Sequence, residues 1–350
     1  MRLRLLADDL TGALDSAAEF TAACGPVEVR WDGRVPAGSF ALDAGTRERP
    51  ESEAAARMAA LAPALAGEGT AFRKIDSLLR GHVAAELGAC LASRAWARCV
   101  VAPAFPAQGR VTRGGVQWVR DAGGALVPAG DLRAALGALP GVTIHDAETE
   151  DDLARIVAEA RCLPGPVLWC GTGGLAGALA GAAVRPDLHL AGPVLGLFGS
   201  DNPATARQLA ACDDLVLRIA DGGAGDAARV ARRLAGDGVA MVAPALPAGL
   251  PRTEAAARIA EAFAALTARL PPPATLLVAG GETLRMLCAA LGASALRATG
   301  LVLRGVPRSL LVGGRWDGTL VISKSGAFGA DALWRDLLAS NGLAKEPTPA

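Results

Sequence analysis

Short apolar runs of strand length recur along the chain. Each is followed by a polar or glycine-bearing turn and then by apolar positions at helical spacing, an alternation that predicts an α/β fold. The first run, Leu3–Ala7, leads into Asp8-Asp9-Leu10-Thr11-Gly12, and residues 13–23 carry Leu14, Ala17, Ala18 and Phe20 on one helical face. Strands are predicted next at 27–31 and 39–43, a helix at 51–66, a strand at 70–75, a helix at 81–92 and a strand at 98–102. Residues 103–115 read as a long proline- and glycine-bearing loop carrying Arg110 and Arg113, and residues 117–139 show no clear period. A strand at 142–145, a helix at 150–161, a strand at 166–170, the turn Gly171-Thr172-Gly173-Gly174-Leu175-Ala176 and a helix to Ala183 complete the first half.

Residues 185–193 are polar and bounded by prolines, which places a linker between a domain at 1–184 and another at 194–350. The rhythm then restarts. Strands are predicted at 194–198, 215–220, 239–243 and 275–279, with helices ending near Ala211 and spanning 224–234, 253–270 and 284–291. Residues 310–312 and 319–323 predict an antiparallel pair, and 330–339 the last helix. A chain of 350 residues exceeds what one core usually supports. The expectation is two domains, each a mostly parallel sheet flanked by helices, with the active site in the cleft between them.

Composition narrows the function. Formal charge is zero and the basic residues are scattered, so no basic stripe marks a nucleic-acid surface. No run approaches the roughly 18 apolar residues of a membrane span. Asp8-Asp9 follow Met1 too soon for a signal peptide, so the expectation is a cytoplasmic protein. Seven cysteines at irregular spacing, without a Cys-x-x-Cys pair, and three isolated histidines, His82, His145 and His189, offer neither a disulfide framework nor a zinc site. A small ligand is the expected partner, with homo-oligomerisation left open.

Charged groups gather where strands end. Lys74, Asp76, Ser77 and Arg80 follow one predicted strand, Asp8 and Asp9 another, and Arg47 a third. In α/β sheets those positions line the crevice where small ligands bind, although Asp9 or Thr11 could equally cap the helix that follows. Three glycine-bearing turns precede helices in the second half: Gly199 to Asn202, Gly280-Gly281-Glu282-Thr283, and Lys324 to Gly329. Glycine permits close backbone approach and helix amino ends favour anions, so these are candidate phosphate cradles, with Lys324 as a positive charge. No P-loop sequence is present.

Taken in order, several motifs resemble the four-carbon acid sugar kinases, the tetronate, threonate and 3-oxo-tetronate kinases. They are Ala7-Asp8-Asp9-Leu10-Thr11-Gly12-Ala13, Lys74-Ile75-Asp76-Ser77 with Leu79-Arg80-Gly81, Ala102-Pro103-Ala104-Phe105-Pro106 with Gly109-Arg110, Gly280-Gly281-Glu282-Thr283, Gly305-Val306-Pro307 and Lys324-Ser325-Gly326-Ala327-Phe328-Gly329. The resemblance covers nearly the whole chain. It implies transfer of the γ-phosphoryl group of ATP, with Mg²⁺, to the terminal hydroxyl of a tetronate, threonate, erythronate or 3-oxo-tetronate. Implied substrate contacts are Asp9, Arg47, Lys74, Ile75, Asp76 and Ser77, to which the strand-end reading adds Asp8 and Arg80; implied nucleotide contacts are Ser200, Gly280, Gly281, Glu282, Thr283 and Gly326, to which the glycine-turn reading adds Lys324. Asp9 is the first candidate base and Asp76 the second. The chain departs from the family pattern at Leu78, Asn202 and Glu282 and in a shortened stretch around 121–131.

Two other readings remain. The Gly171 to Ala176 turn formally satisfies a dinucleotide fingerprint, which would suit an NAD-dependent oxidoreductase, but the acidic residue expected about 20 positions on is missing. A non-catalytic sugar-acid sensor would keep the first pocket and lack turnover.

Overall fold

Strands buried on both faces must be apolar along their length, because helices cover a parallel sheet above and below. The computed structural model describes residues 1–121, 123–247 and 249–344, and strands of this kind run through both halves of the chain. The chain divides into one unit of Met1–Arg185 with Ala298–Gly300 and another of Pro186–Arg297 with Leu301–Ala350.

The sheet of the first unit uses strands β1 (Leu3–Ala7), β2 (Val27–Arg30), β3 (Phe40–Asp43), β4 (Thr70–Lys74), β5 (Arg98–Ala102), β9 (Val142–Ile144) and β10 (Val167–Gly171). They lie in the order β2-β3-β1-β4-β10-β5-β9, and every pairing is parallel. Helices α1 (Leu10–Glu19), α2 (Thr21–Cys24), α3 (Glu51–Leu61), α4 (Val83–Ala92), α5 (Leu132–Leu136), α6 (Glu150–Arg161) and α7 (Gly173–Ala180) complete the layers. Leu6, Phe40, Leu42, Met58, Leu87 and Val101 belong to its core. Because β3 and β4 flank β1, the chain reverses direction across the sheet at β1, and the carboxyl end of β1 is a topological switch point.

Several predicted elements differ in detail. The helix expected at 13–23 begins at Leu10 and is interrupted at Phe20. The helix expected at 51–66 stops at Leu61 and continues as one 3₁₀ turn, since Pro63 has no N–H for the α ladder. The larger correction lies at 103–139, where a loop and an unpatterned stretch were expected. A separate antiparallel sheet forms there from β6 (Arg110–Arg113), β7 (Val116–Arg120) and β8 (Leu126–Asp131). Its alternation is hidden in the sequence by Pro128 and Gly130 in β8 and by a bulge between Gln117 and Trp118.

In the second unit β11 (Val194–Phe198), β12 (Val216–Ile219), β13 (Val239–Pro244), β14 (Thr275–Ala279), β15 (Ala295–Leu303, save its middle residues Ala298–Gly300), β16 (Val306–Val312) and β17 (Leu320–Lys324) lie in the order β12-β13-β11-β14-β17-β16-β15. The first four pairings are parallel and β16 runs antiparallel to β17, as the sequence predicts. The sequence reading missed β15, whose apolar pattern is broken by Arg297 and Gly300. Helices α8 (Pro203–Ala210), α9 (Ala224–Asp237), α10 (Arg252–Thr267), α11 (Gly281–Leu291) and α12 (Leu333–Ala339) cover the sheet. In the core Phe198 meets Trp334 edge to face at 5.7 Å. Residues 186–193 are fastened to this unit: Arg308 donates to the carbonyls of Asp187 and His189, and Asn341 exchanges hydrogen bonds with Leu188 and Leu190. No described helix is long and apolar enough to cross a membrane.

Candidate active site

In the first unit the ends of three strands are level, with Ala7 opposite both Asp43 and Lys74, so the residues that follow them converge. Asp8 and Asp9 come from β1, Arg47 from the turn after β3, and Lys74 to Arg80 from the end of β4 and the turn beyond. Arg47 binds three carboxylates. Its Nε donates to Asp8 Oδ2 at 2.6 Å and one Nη to Asp9 Oδ1 at 2.7 Å, while the other lies 3.5 Å from Asp76 Oδ1. Burial opposes its charge, but Asp8, Asp9 and Asp76 outweigh burial and hold its pKa well above the usual value.

Asp9 is also the cap of α1, accepting from Gly12 N at 3.0 Å and from Thr11 Oγ1 at 2.6 Å. Capping and site chemistry therefore fall on one side chain. Burial tends to raise its pKa, yet Arg47, Lys74 and the Thr11 hydroxyl bring it below the usual range. Asp76 has both oxygens engaged: Arg80 binds it at 2.9 and 2.7 Å, and the N–H groups of Leu78 and Arg80 donate at 3.0 and 3.2 Å. Against the effect of burial, these bonds and Arg47 hold its pKa far below the carboxylate range.

Lys74 is different. It is buried and its side chain makes no hydrogen bond or ion pair among the described residues, although Asp9, Asp15 and Asp76 all act on it electrostatically. Below it Arg73 and Glu86, both wholly buried, form an ion pair, and Arg73 donates to the carbonyls of Leu6 and Lys74, tying β1 to β4. Ile75, named from the sequence as a substrate contact, sends its side chain into the apolar core, and its N–H bonds Gly171 O at 2.9 Å.

Sequence reasoning missed Asp15. It lies buried on α1 with Ser16 Oγ donating to it at 2.8 Å, and burial pushes its pKa up to about 6 despite Lys74. The available signal was a carboxylate in the middle of a helix whose other residues, apart from Glu19 at its end, are small, apolar or hydroxyl-bearing.

In the second unit the ends of β11, β14 and β17 are also level, Phe198 pairing with Ala279 and Ala279 with Lys324. Gly280 begins α11 with φ of +96°, a conformation that favours glycine. A side chain at Gly326 would lie 2.7 Å from Ser200 Oγ, so those two turns are in close approach. Lys324 is wholly buried and donates to the carbonyls of Ser325 and Gly326 at 3.0 and 3.1 Å; burial brings its pKa down to about 7. Thr283 is buried near Gly199, whereas Glu282 is exposed and paired with Arg252 at 3.4 Å. Asn202 caps α8, while Thr205 and Gln208 from that helix bind the carbonyls of Gly326, Phe328, Gly329 and Ala330. These last two were also missed. Polar residues three apart on a buried helix face were their signal.

The dinucleotide reading is overturned by the packing of its turn. A side chain at Gly173 would lie 2.7 Å from the Phe105 ring and one at Gly174 only 2.3 Å from Ala104 O. Thr172 is buried and donates to the carbonyls of Pro103 and Ala104. The glycines make room for the protein's own loop, leaving none for a pyrophosphate.

Two family models match the chain, a sugar-binding N-terminal domain over residues 3–131 and a nucleotide-binding C-terminal domain over residues 195–333. The chain is 34% identical to a D-threonate kinase of Cupriavidus necator, with 94% of this chain and 96% of that protein covered. It is 30% identical to a D-threonate kinase of Bordetella bronchiseptica over 93% and 94% of the two chains. A crystal structure of a Salmonella typhimurium LT2 protein, 21% identical, shares the fold with a TM-score of 0.70 over 95% of this chain and 97% of that one. With its converging carboxylates in the sugar-binding half and its level glycine turns in the nucleotide-binding half, the chain belongs to the four-carbon acid sugar kinase family.

Proposed function

We propose that the protein transfers the γ-phosphoryl group of ATP to the terminal hydroxyl of a four-carbon sugar acid of the threonate or erythronate type. The observation that carries this reading is Lys74, a buried cation whose side chain makes no hydrogen bond or ion pair among the described residues, beside a carboxylate cluster that Arg47 bridges. Arg47 is committed to Asp8, Asp9 and Asp76, so it orders the carboxylates, and Lys74 is the group left to receive the acid's own carboxylate.

Asp9 orients the hydroxyl and accepts its proton. Its side chain is 18% exposed, against 2% for Asp8 and 6% for Asp76. A carboxylate of low pKa suffices, since phosphoryl transfer through a loose transition state depends on positioning and charge more than on a strong base. Asp76, the second candidate base, has no free oxygen and holds its turn instead.

On the nucleotide side the amino end of α11 with Gly280, Gly281 and Thr283, and the turn bearing Ser200 and Gly326, offer N–H and hydroxyl donors for phosphate oxygens. Lys324 is near its titration point and becomes fully charged against a triphosphate. No group of three or more metal-ligating side chains gathers among the described residues. Mg²⁺ therefore fits as an ion carried on the phosphates, with its waters and at most the Glu282 carboxylate, and would neutralise charge there.

The test is ADP release with D- and L-threonate, erythronate and 3-oxo-tetronates. ADP with at least one acid is expected. An acid that raises the melting temperature yet yields no ADP would mark a sensor and refute the reading.

A further inference from the structure

The antiparallel sheet β6–β7–β8 has no role in the site as described so far, yet its central strand reaches the sugar-acid turn. Gln117 is wholly buried at the bulge in β7. Its Nε2 donates to Ser77 O at 3.1 Å and to Pro103 O at 3.3 Å, and its Oε1 accepts from Thr112 Oγ1 at 2.8 Å. Thr112 is itself fixed, exchanging backbone bonds with Ala147 at 2.8 and 3.1 Å. A bulge re-aims a side chain that the regular pleat would send elsewhere. Here it coincides with the residue of β7 that bonds the Ser77 carbonyl.

A second contact holds the same turn. Leu79 has a φ of +61° and is the only non-glycine residue with positive φ among the described residues. Such a backbone persists only where its surroundings impose it. Leu79 lies over Gly130 of β8, where an added side chain would come within 3.0 Å of Leu79 Cδ1. The small sheet thus grips the turn twice, at the Ser77 carbonyl and at Leu79, on either side of Leu78. Between and beside those grips are Asp76, which binds Arg47, and Arg80, which binds Asp76.

We propose that Gln117 is a positioning residue for the acceptor acid, and that the β6–β7–β8 sheet is the platform that sets the geometry of the turn bearing Asp76, Ser77 and Arg80. Gln117 acts through Ser77 and touches no substrate. This rests on the sugar-acid reading above. The residue selects which acid fits by fixing where the turn backbone lies, so its loss weakens acid binding and leaves nucleotide binding alone.

The experiment uses the full chain. Gln117→Leu keeps the volume and removes the amide. Calorimetric Kd values for the preferred acid and for ATP are measured beside the steady-state constants. The expected result is a rise of about tenfold in acid Kd and KM, the equivalent of one to two hydrogen bonds, with ATP values within about twofold of wild type. Thr112→Val, which deprives Gln117 Oε1 of its donor, should raise acid KM about threefold, and Thr112→Ser, which keeps the hydroxyl, should restore it. If Gln117→Leu does not fold, the Thr112 pair decides alone. Acid affinity unchanged in a folded Gln117→Leu, acid and ATP constants rising together, or Thr112→Val matching Thr112→Ser would overturn the proposal. An active wild type with those outcomes leaves the kinase reading intact, whereas a wild type that neither binds an acid nor releases ADP sinks both.

Discussion

Substituting Gly12 by alanine separates what the site needs from what the fold needs. Gly12 is the third residue of α1, and its N–H donates to Asp9 Oδ1 at 3.0 Å. A β-carbon there would lie 2.5 Å from Asp9 Oδ1 and 2.7 Å from Lys74 Nζ, where ordinary contact begins at 3.4 Å. Both groups must then retreat by most of an ångström. Each is the end of a side chain, so the backbone need not move. In stability the terms oppose one another: alanine gains about 1 kcal/mol over glycine within a helix, and disturbing the Asp9 cap costs about 1 kcal/mol. The melting temperature should stay within about 4 °C of wild type. Activity has no such compensation, because a displacement of about 1 Å in positioning groups can cost about 100-fold. The assay is kcat/KM for the acid by coupled ADP release, with a thermal melt on the same sample. A drop of about two orders of magnitude at an unchanged ATP KM is expected. A folded Gly12→Ala enzyme within about threefold of wild type would show that the Asp9 and Lys74 positions do not govern turnover.

Two further predictions concern charge. Arg47→Met leaves Asp8, Asp9 and Asp76 without their shared cation, and losing one member of a buried ion pair costs about 3–5 kcal/mol. Asp9 and Asp76 have folded pKa values below their unfolded ones, partly through Arg47, so that stabilisation is present above the ordinary carboxylate range and lost as pH falls from there through the lower folded values. The urea-midpoint deficit of Arg47→Met should therefore be large at neutral pH and shrink as pH falls below about 4; equal deficits at pH 7 and about pH 3 would contradict the coupling. For Lys324 the sign is opposite. Its folded pKa of about 7 lies below that of the unfolded chain, so the cost of burying the charge is full below pH 7 and fades as pH climbs to the free lysine value. Lys324→Met should gain stability relative to wild type at pH 6 compared with pH 9.5, while raising the KM for ATP. Melts at the two pH values that differ by the same amount would rule this out.

Local pattern and tertiary context contributed differently to what could be read. Strands such as Leu3–Ala7 and Thr275–Ala279 were legible because a strand covered on both faces must be apolar throughout. The placement of Asp8, Asp9, Lys74 and Lys324 at strand ends was legible for the same reason: where an apolar run stops, the chain has left the sheet. Motif order also named the family before any fold was built. The strand order, by contrast, rests on non-local pairings, and it alone brings the turns after β3 and β4 to either side of β1. That order decides that Arg47 is held by three carboxylates, that the Lys74 side chain makes no hydrogen bond or ion pair among the described residues and that Asp15 is buried near enough to feel its charge. The same dependence explains the misreadings. Glycines at 173 and 174 look alike in sequence whether they admit a phosphate or the Phe105 loop, and Gln117 gains its meaning only where a bulge turns it towards Ser77. Sequence determined which residues could do chemistry, because burial and turn formation are local demands; the tertiary structure decided which of them meet, because contact between residues far apart in the chain is set by how the strands are ordered.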